Sequence, residues 1–321
     1  MATIPEQPAR RSQWGCWLRR GCWLASLLVL LSASTSCTDS QPIAKIGLLA
    51  PFEGLYRRTG YSALSAMRQA ISESGGSFLP LALDDSADPA RARRSAQKLL
   101  VDPQLQAVVG PLTPALADAS AAVLQDPRIL WVTPYAVDPE LGFVDPLDSE
   151  QWAGALAEAL GTAVRRQGVQ TLYLAGERRG WPDWGEAEWH AATGLPTLFW
   201  ESQTVSPTTW TGREAIFWLG DAAEAATFVN RLPADRTGPR FWLGPAGGDP
   251  VLAERLTGSQ PLYWLTWVDR RSPDVAALSG APLVYQATQS ALARLGGTEL
   301  PTRWRAAYFE IRGGVSHSYT P

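Results

Sequence analysis

Strands that alternate with helices predict an α/β protein of two Rossmann-like lobes, each around a parallel sheet, joined by a hinge. Three observations carry this expectation. Short apolar runs of strand length alternate with stretches of helix length from Ala44 onward, the pattern of βαβ units whose sheets are covered on both faces. The series runs twice, once on each side of Pro146, so two lobes of similar architecture are expected. Only "FVDPLDS" separates them, which is too short for an independent linker and implies a shared interface.

In the first series "KIGLLA", "FLPLALDD", "LQAVVG" and "ILWVTP" read as buried strands. "GYSALSAMRQAISES", "DPARARRSAQKLLVD" and "PALADASAAVLQD" read as the helices between them. Asp88 before Pro89 marks a helix start, a side-chain acceptor followed by proline at the first helical position. The second series begins with the helix "SEQWAGALAEALGTAVRRQG". It continues through the strands "TLYLAG", "LPTLFW", "AIFWLG", "RFWLGP" and "PLYWLTW", with "AAEAATFVNRL" and "PVLAERL" as helices. A last long helix, "APLVYQATQSALARLG", precedes an irregular tail with Trp304, Tyr308 and Phe309.

The first residues read as a targeting segment. Arg10, Arg11, Arg19 and Arg20 precede the apolar run "CWLASLLVLL", and small residues follow to Cys37. That arrangement is an export signal, and the run is shorter than the roughly 18 residues a membrane-spanning helix needs. All three cysteines, Cys16, Cys22 and Cys37, lie here, so the body has neither a disulfide framework nor a thiolate metal site. "STSC" resembles a bacterial lipoprotein processing box, with Ser34 where that motif usually has leucine. Cys37 would then be lipidated; a cleaved soluble form and an uncleaved anchor are the alternatives.

The chain has 321 residues, 45% apolar and 18% charged, with a net charge of −3. This describes a globular protein with a sizeable core and gives no reason to expect nucleic acid. Among α/β proteins, ligands sit beyond the carboxyl ends of the strands. Here those ends carry "PFEG", "GPLTP", "TPYAVDP", "GERRGWPDWG", "LGD" and "GPAGGDP".

No Gly-Lys-Ser/Thr follows the glycines, and no G-x-G-x-x-G follows the first strand, so they serve tight turns rather than phosphate binding. No G-x-S-x-G elbow occurs. The histidines, His190 and His317, stand away from strand ends. Glu53, Glu177, Asp221 and Asp249 leave paired-acid glycoside cleavage as a rival reading. Asp84, Asp85 and Asp88 suit a strand end and a helix cap better than a metal site. Trp218, Trp242 and Trp264 read as core. Trp181, Trp184, Trp210 and Trp267 stand at loops or strand ends, where indoles suit either a ligand or packing between lobes.

Together, "KIGLLAPFEGLYRRTGYSALSAMRQAI", "LALDDSADPARARRSAQKLL", "QAVVGPLTPALADASAAVL" and "ILWVTPYAVDPEL" resemble the first lobe of the Leu/Ile/Val-type extracytoplasmic solute-binding proteins of ABC importers. These are type I periplasmic binding proteins. The resemblance is specific over 44–141 and looser beyond. It implies a leader at 1–37, a tether at 38–43, and a first lobe that begins at 44–141. A second lobe over 142–270 and a return to the first lobe within 271–321 complete the division.

It also implies lobes that close on a small solute, with no catalysis, cofactor or metal, and an ABC permease as partner. The lipidated N-terminus would hold the protein outside the cytoplasm at the membrane. The residues expected to line the cleft are Phe52, Glu53, Leu112, Thr113, Tyr135, Ala136, Trp184 and Asp221.

In amino-acid-binding members a serine stands near Pro114, a hydroxyl near Ala136 and Val137, an acid at Ala246 and a tyrosine at Asp221. The aromatic-glycine pair is kept as Trp184-Gly185. Two hydroxyls and the ammonium-binding acid are thus absent. Aromatic walls with a few acids favour an apolar or cationic solute, an amino acid or similar, over an anion. A relative that has lost import and serves sensing or scaffolding is the second expectation, and a secreted carbohydrate-active hydrolase the third.

Overall fold

The structure, a computed structural model, describes residues 43–75, 77–134, 149–178, 181–200, 210–232, 238–258, 260–269, 281–297 and 304–321. The leader with Cys37, the cleft candidates Tyr135 and Ala136, and nearly all of "FVDPLDS" lie outside them.

The first lobe forms around four strands, β1 (Lys45–Ala50), β2 (Leu79–Asp84), β3 (Leu105–Val109) and β4 (Leu130–Val132). Their order is β2-β1-β3-β4, all parallel, with Leu48 of β1 opposite Ala82 on one side and Val109 on the other. Such short apolar strands cannot alternate between core and water, because helices cover both faces. Helix α1 (Arg57–Glu73) packs Ala63, Met67 and Ala70 onto Ile46 and Leu48. Helices α2 (Pro89–Leu99) and α3 (Pro114–Leu124) cover the other face, where Leu99 and Leu124 meet Leu49, Val108 and Trp131. Asp88 caps α2 as its position implies, accepting from the Arg91 N–H at 2.8 Å.

The second lobe opens with α4 (Ser149–Arg166), β5 (Thr171–Ala175), α5 (Glu186–Thr193) and β6 (Thr197–Phe199). Strand β7 (Glu214–Trp218), α6 (Ala222–Val229), β8 (Arg240–Leu243), α7 (Pro250–Arg255) and β9 (Leu262–Asp269) follow. The expected strands are all present, and β6, β5, β7, β8 and β9 run parallel. Helix α5 lies in the tryptophan-rich stretch that the sequence leaves as a loop.

Helix α8 (Pro282–Leu295) then packs on the first sheet, with Val284, Ala287 and Ala291 in the same cluster as Met67 and Val109. Its Tyr285 hydroxyl donates to the Glu73 carboxylate of α1. The next residue, Gln286, donates its amide to the Trp267 carbonyl of β9 at 2.9 Å. A single helix therefore touches both lobes.

The segment expected as an irregular tail is regular. Strands β10 (Trp304–Arg312) and β11 (Val315–Tyr319) form an antiparallel hairpin that extends the second sheet to seven strands, in the order β11-β10-β9-β8-β7-β5-β6. The alternation is legible in hindsight: Ala307, Phe309 and Ile311 are buried on one face. Gly313 and Gly314 make the two-residue turn, with φ of 57° and 77°, the positive values that such hairpin turns require.

Candidate functional site

The loop that leaves β1 is shaped by a carboxylate from its neighbour. Asp84, last in β2, accepts from the N–H groups of Phe52 at 2.7 Å and Glu53 at 3.2 Å. Ser86 adds its N–H at 3.0 Å and its hydroxyl. Burial would raise Asp84, but the Ser86 hydroxyl and these N–H groups outweigh it and hold the carboxyl below its ordinary value.

Gly60 fixes the other end of the loop. A Cβ there would stand 1.9 Å from the Pro51 carbonyl oxygen, so only glycine lets the first turn of α1 come this close.

On this frame the Phe52 ring meets Tyr61 edge-on at 5.5 Å and borders the lobe core. Glu53 points to solvent, 3.5 Å from Arg91. On the adjacent strand end, Leu112 is a core residue, 7% exposed. Thr113 is exposed and opens α3 without a side-chain capping bond. These four share one end of the first sheet. Trp184 and Asp221 occupy the corresponding end of the second, after β5 and β7. Trp184 lies half-buried with its ring 5.3 Å from Trp189. Asp221 caps α6, accepting from the Glu224 N–H at 2.8 Å; that bond occupies one oxygen of a carboxylate expected to face the cleft.

The two ends meet through residues the sequence reading passed over. Tyr56, Arg58 and Thr59 begin α1. The Thr59 hydroxyl donates to Asp249 Oδ1 at 2.6 Å, and Arg58 Nη1 pairs with Glu254 Oε1 at 2.5 Å. Asp249 also caps α7 through the Val251 N–H at 2.9 Å. Burial pushes its carboxyl up, the two bonds pull it down, and the charges of Asp221 and Glu254 add to the rise. Burial, then Asp221 and Asp249, push the Tyr56 phenol up to about 12. Burial, Asp221 and Glu177 likewise raise Glu224. The junction is therefore acidic, with a phenol that stays protonated. Residues 55–59, "LYRRT", carry the first lobe's share of it into the first turn of α1.

The tryptophans divide cleanly. Trp218, Trp242 and Trp264 are core at 8%, 0% and 2% exposure. Trp181 donates its Nε1–H to the Leu219 carbonyl at 3.0 Å, with its ring 5.2 Å from Trp152, 5.7 Å from Trp189 and 5.4 Å from Phe217. Trp210 packs on Trp200 and Tyr173. Trp267 borders the same lobe cluster as Trp152, and the indole N–H of each has no partner. The second lobe's own core thus engages most of the indoles offered to a ligand.

His190 Nδ1 lies 2.6 Å from the Leu195 carbonyl, and His317 is exposed on β11. Among the described residues no three of His, Cys, Asp and Glu are placed to hold a metal, and no helix is long and apolar enough to cross a membrane.

Residues 44–194 match the periplasmic binding protein family. No curated protein sequence matches the chain. Among solved structures, the chain is similar to a leucine-binding protein of Thermotoga maritima, with a TM-score of 0.59 at 15% identity over 87% of this chain and 98% of that one. It is also similar to the branched-chain amino acid transporter substrate-binding protein of Streptococcus pneumoniae in complex with isoleucine, with a TM-score of 0.55 at 14% identity over 87% and 100%. A third is an ABC-transporter solute-binding protein of R. palustris in complex with 4-hydroxybenzoate, with a TM-score of 0.55 at 18% identity over 78% of each chain. The chain has the type I periplasmic binding protein fold, and the match to the family covers residues 44–194.

Proposed function

We propose that the protein is an extracytoplasmic solute-binding protein that closes its lobes on a small solute and delivers it to an ABC importer. The observation that carries this reading is the junction itself. Thr59–Asp249 and Arg58–Glu254 join the lobes there. Such a junction is suited to hinge closure, as in the periplasmic binding proteins that serve as a standard example of it.

The solute is apolar in part or cationic. Trp184 and Phe52 supply aromatic surface, while Glu53, Glu177 and Asp221 supply negative charge. Leu112 and Thr113 contribute the wall of the first lobe, and Tyr135 with Ala136 its remaining loop. Lobe one takes 44–141 with the return in 271–321, lobe two takes 142–270, and Cys37 carries a lipid that anchors the protein.

Thermal melting of the full chain against amino acids, polyamines, short peptides, sugars and aromatic acids tests this. A solute at a hundred times its dissociation constant raises stability by about 2.7 kcal/mol. A selective rise in Tm is expected; a folded chain that no member of the panel shifts overturns import.

One observation favours a second reading, a relative that senses or scaffolds without import. Trp181 stands over the ends of β7 and β8, bonded to Leu219 and packed on Phe217. An indole so engaged leaves less room for a solute.

A further inference from the structure

We infer that the solute carries a primary carboxamide, held on the floor between the lobes by the indole N–H groups of Trp152 and Trp267 and the side-chain oxygen of Gln286. This rests on the solute-binding reading and names the chemistry that the cleft selects. Trp152 Nε1, Trp267 Nε1 and Gln286 Oε1 are buried and have no hydrogen-bond partner among the described residues. A buried donor or acceptor left unmet is costly, and in a native fold it calls for a partner.

Three elements bring these groups together. Trp152 stands in the first turn of α4, Trp267 two residues before the end of β9, and Gln286 near the start of α8. The chain changes lobes at these points, because α4 follows β4 of the first sheet and α8 follows β9 of the second. Helices α4 and α8 both pack on β9. The Trp152 ring lies 5.2 Å from that of Trp181, and Trp181 covers Gly244 at the end of β8, the strand beside β9. The three groups thus border one stretch of hinge floor. With the lobes joined their atoms are shut off from solvent; parting the lobes uncovers them.

The chemistry follows from which atoms are already spent. Trp181 gives its N–H to the Leu219 carbonyl at 3.0 Å and has none left to offer. The Gln286 nitrogen is committed to the Trp267 carbonyl at 2.9 Å, so its oxygen is the free end and can only accept. Two donors and one acceptor remain. Ser290, one turn further along α8, adds an unpartnered hydroxyl that can give or take and leaves this selection unaltered. A carboxamide oxygen takes both indole N–H groups while its nitrogen donates to Gln286. A carboxylate takes the indoles but sets its charge against the Gln286 oxygen and leaves that oxygen unmet. An ammonium meets Gln286 and faces two N–H groups. A site built from fixed donors and acceptors rejects the analogue that leaves them unpaired.

Isothermal titration of the full chain with L-leucinamide, L-leucine and isopentylamine tests this. The three share an ammonium and a branched apolar body, and differ in carrying an amide, a carboxylate or neither. L-leucinamide is expected to bind about tenfold or more tighter than either of the others. Trp152→Phe and Trp267→Phe keep an aromatic ring and remove the N–H. Each should weaken L-leucinamide about tenfold and leave isopentylamine nearly unchanged. A merely structural role would weaken both ligands alike, and that result in both variants overturns the assignment. L-leucinamide binding no tighter than isopentylamine, or not at all, by the folded chain overturns the inference. Tightest binding of L-leucine overturns it too but leaves the receptor reading intact. The same holds if another solute raises Tm and both variants bind it as tightly as the parent chain.

Discussion

The Thr59 hydroxyl donates to Asp249 Oδ1 at 2.6 Å, from the first turn of a helix on one sheet to the cap of a helix on the other. Side chains 190 positions apart in sequence thus share one hydrogen bond at the lobe junction. Thr59→Val keeps the shape and removes the donor, leaving a partly buried carboxylate with one bond fewer. The expected cost is about 1–3 kcal/mol. Arg58→Ala should cost less, about 0–1 kcal/mol, because its pair with Glu254 is exposed. Denaturant melts of the two variants decide it, and an equal loss in both would contradict the ranking.

Two adjacent carboxylates should answer pH in opposite senses. Asp85 is fully buried and its Oδ2 has no partner. Burial pushes it up to about 6, against the Ala87 N–H, with Asp84 adding to the rise. A raised carboxyl means the fold binds the proton more tightly than the unfolded chain does. Its stabilisation is therefore complete below about pH 4 and lost as pH rises through about 6. Asp84 is lowered, so its contribution is present above about pH 4 and lost on further acidification. Asp85→Asn should thus raise Tm at pH 7.5 and lose that advantage at pH 4. The gain at the higher pH is expected at about 1–3 kcal/mol. Melts at the two pH values check it, and a gain that persists at pH 4 would refute the assignment.

The hairpin offers a test of backbone conformation alone. Gly313 and Gly314 both have positive φ. Asn tolerates that region and β-branched residues do not. Gly313→Asn should leave Tm nearly unchanged, while Gly314→Val should cost about 1–3 kcal/mol. Tolerance of valine would mean that the turn is not as described.

This hairpin also shows where legibility ended. The parallel strands were readable because burial on both faces leaves continuous apolar runs such as "KIGLLA" and "AIFWLG". The hairpin interleaves buried Ala307, Phe309 and Ile311 with Tyr308, the buried Glu310 and the polar residues of β11, so "AAYFEIRGGVSHSY" looked irregular, although its Gly-Gly turn was a usable signal. Helix α5 was hidden for a related reason, since Trp189 is its only large core residue and the flanking positions are polar.

At the site, the strand-end loops could be located from order alone. What each side chain does there depended on contacts across the fold. Asp221 reads equally well as a ligand acid or a cap until the Glu224 N–H is seen beside it. Thr59 gave no signal, because its partner lies on the other lobe.

Trp181 and Trp184 differ in how far packing engages them. Trp181 has ring neighbours on three sides and a bonded N–H, so it belongs to the lobe's structure. Trp184 has a ring contact with Trp189 and rests near Gly154 of α4. Trp181→Ala should therefore cost about 2–4 kcal/mol of stability, somewhat below the range for a fully buried tryptophan because the ring is only partly buried. Trp184→Ala should cost less stability and lower solute affinity about tenfold or more. Melts of both variants, followed by titration with the solute that shifts Tm most, read the two effects separately. The reverse ranking in affinity would make Trp181 the ligand-facing indole, and the cleft would then extend over Phe217 and the end of β8.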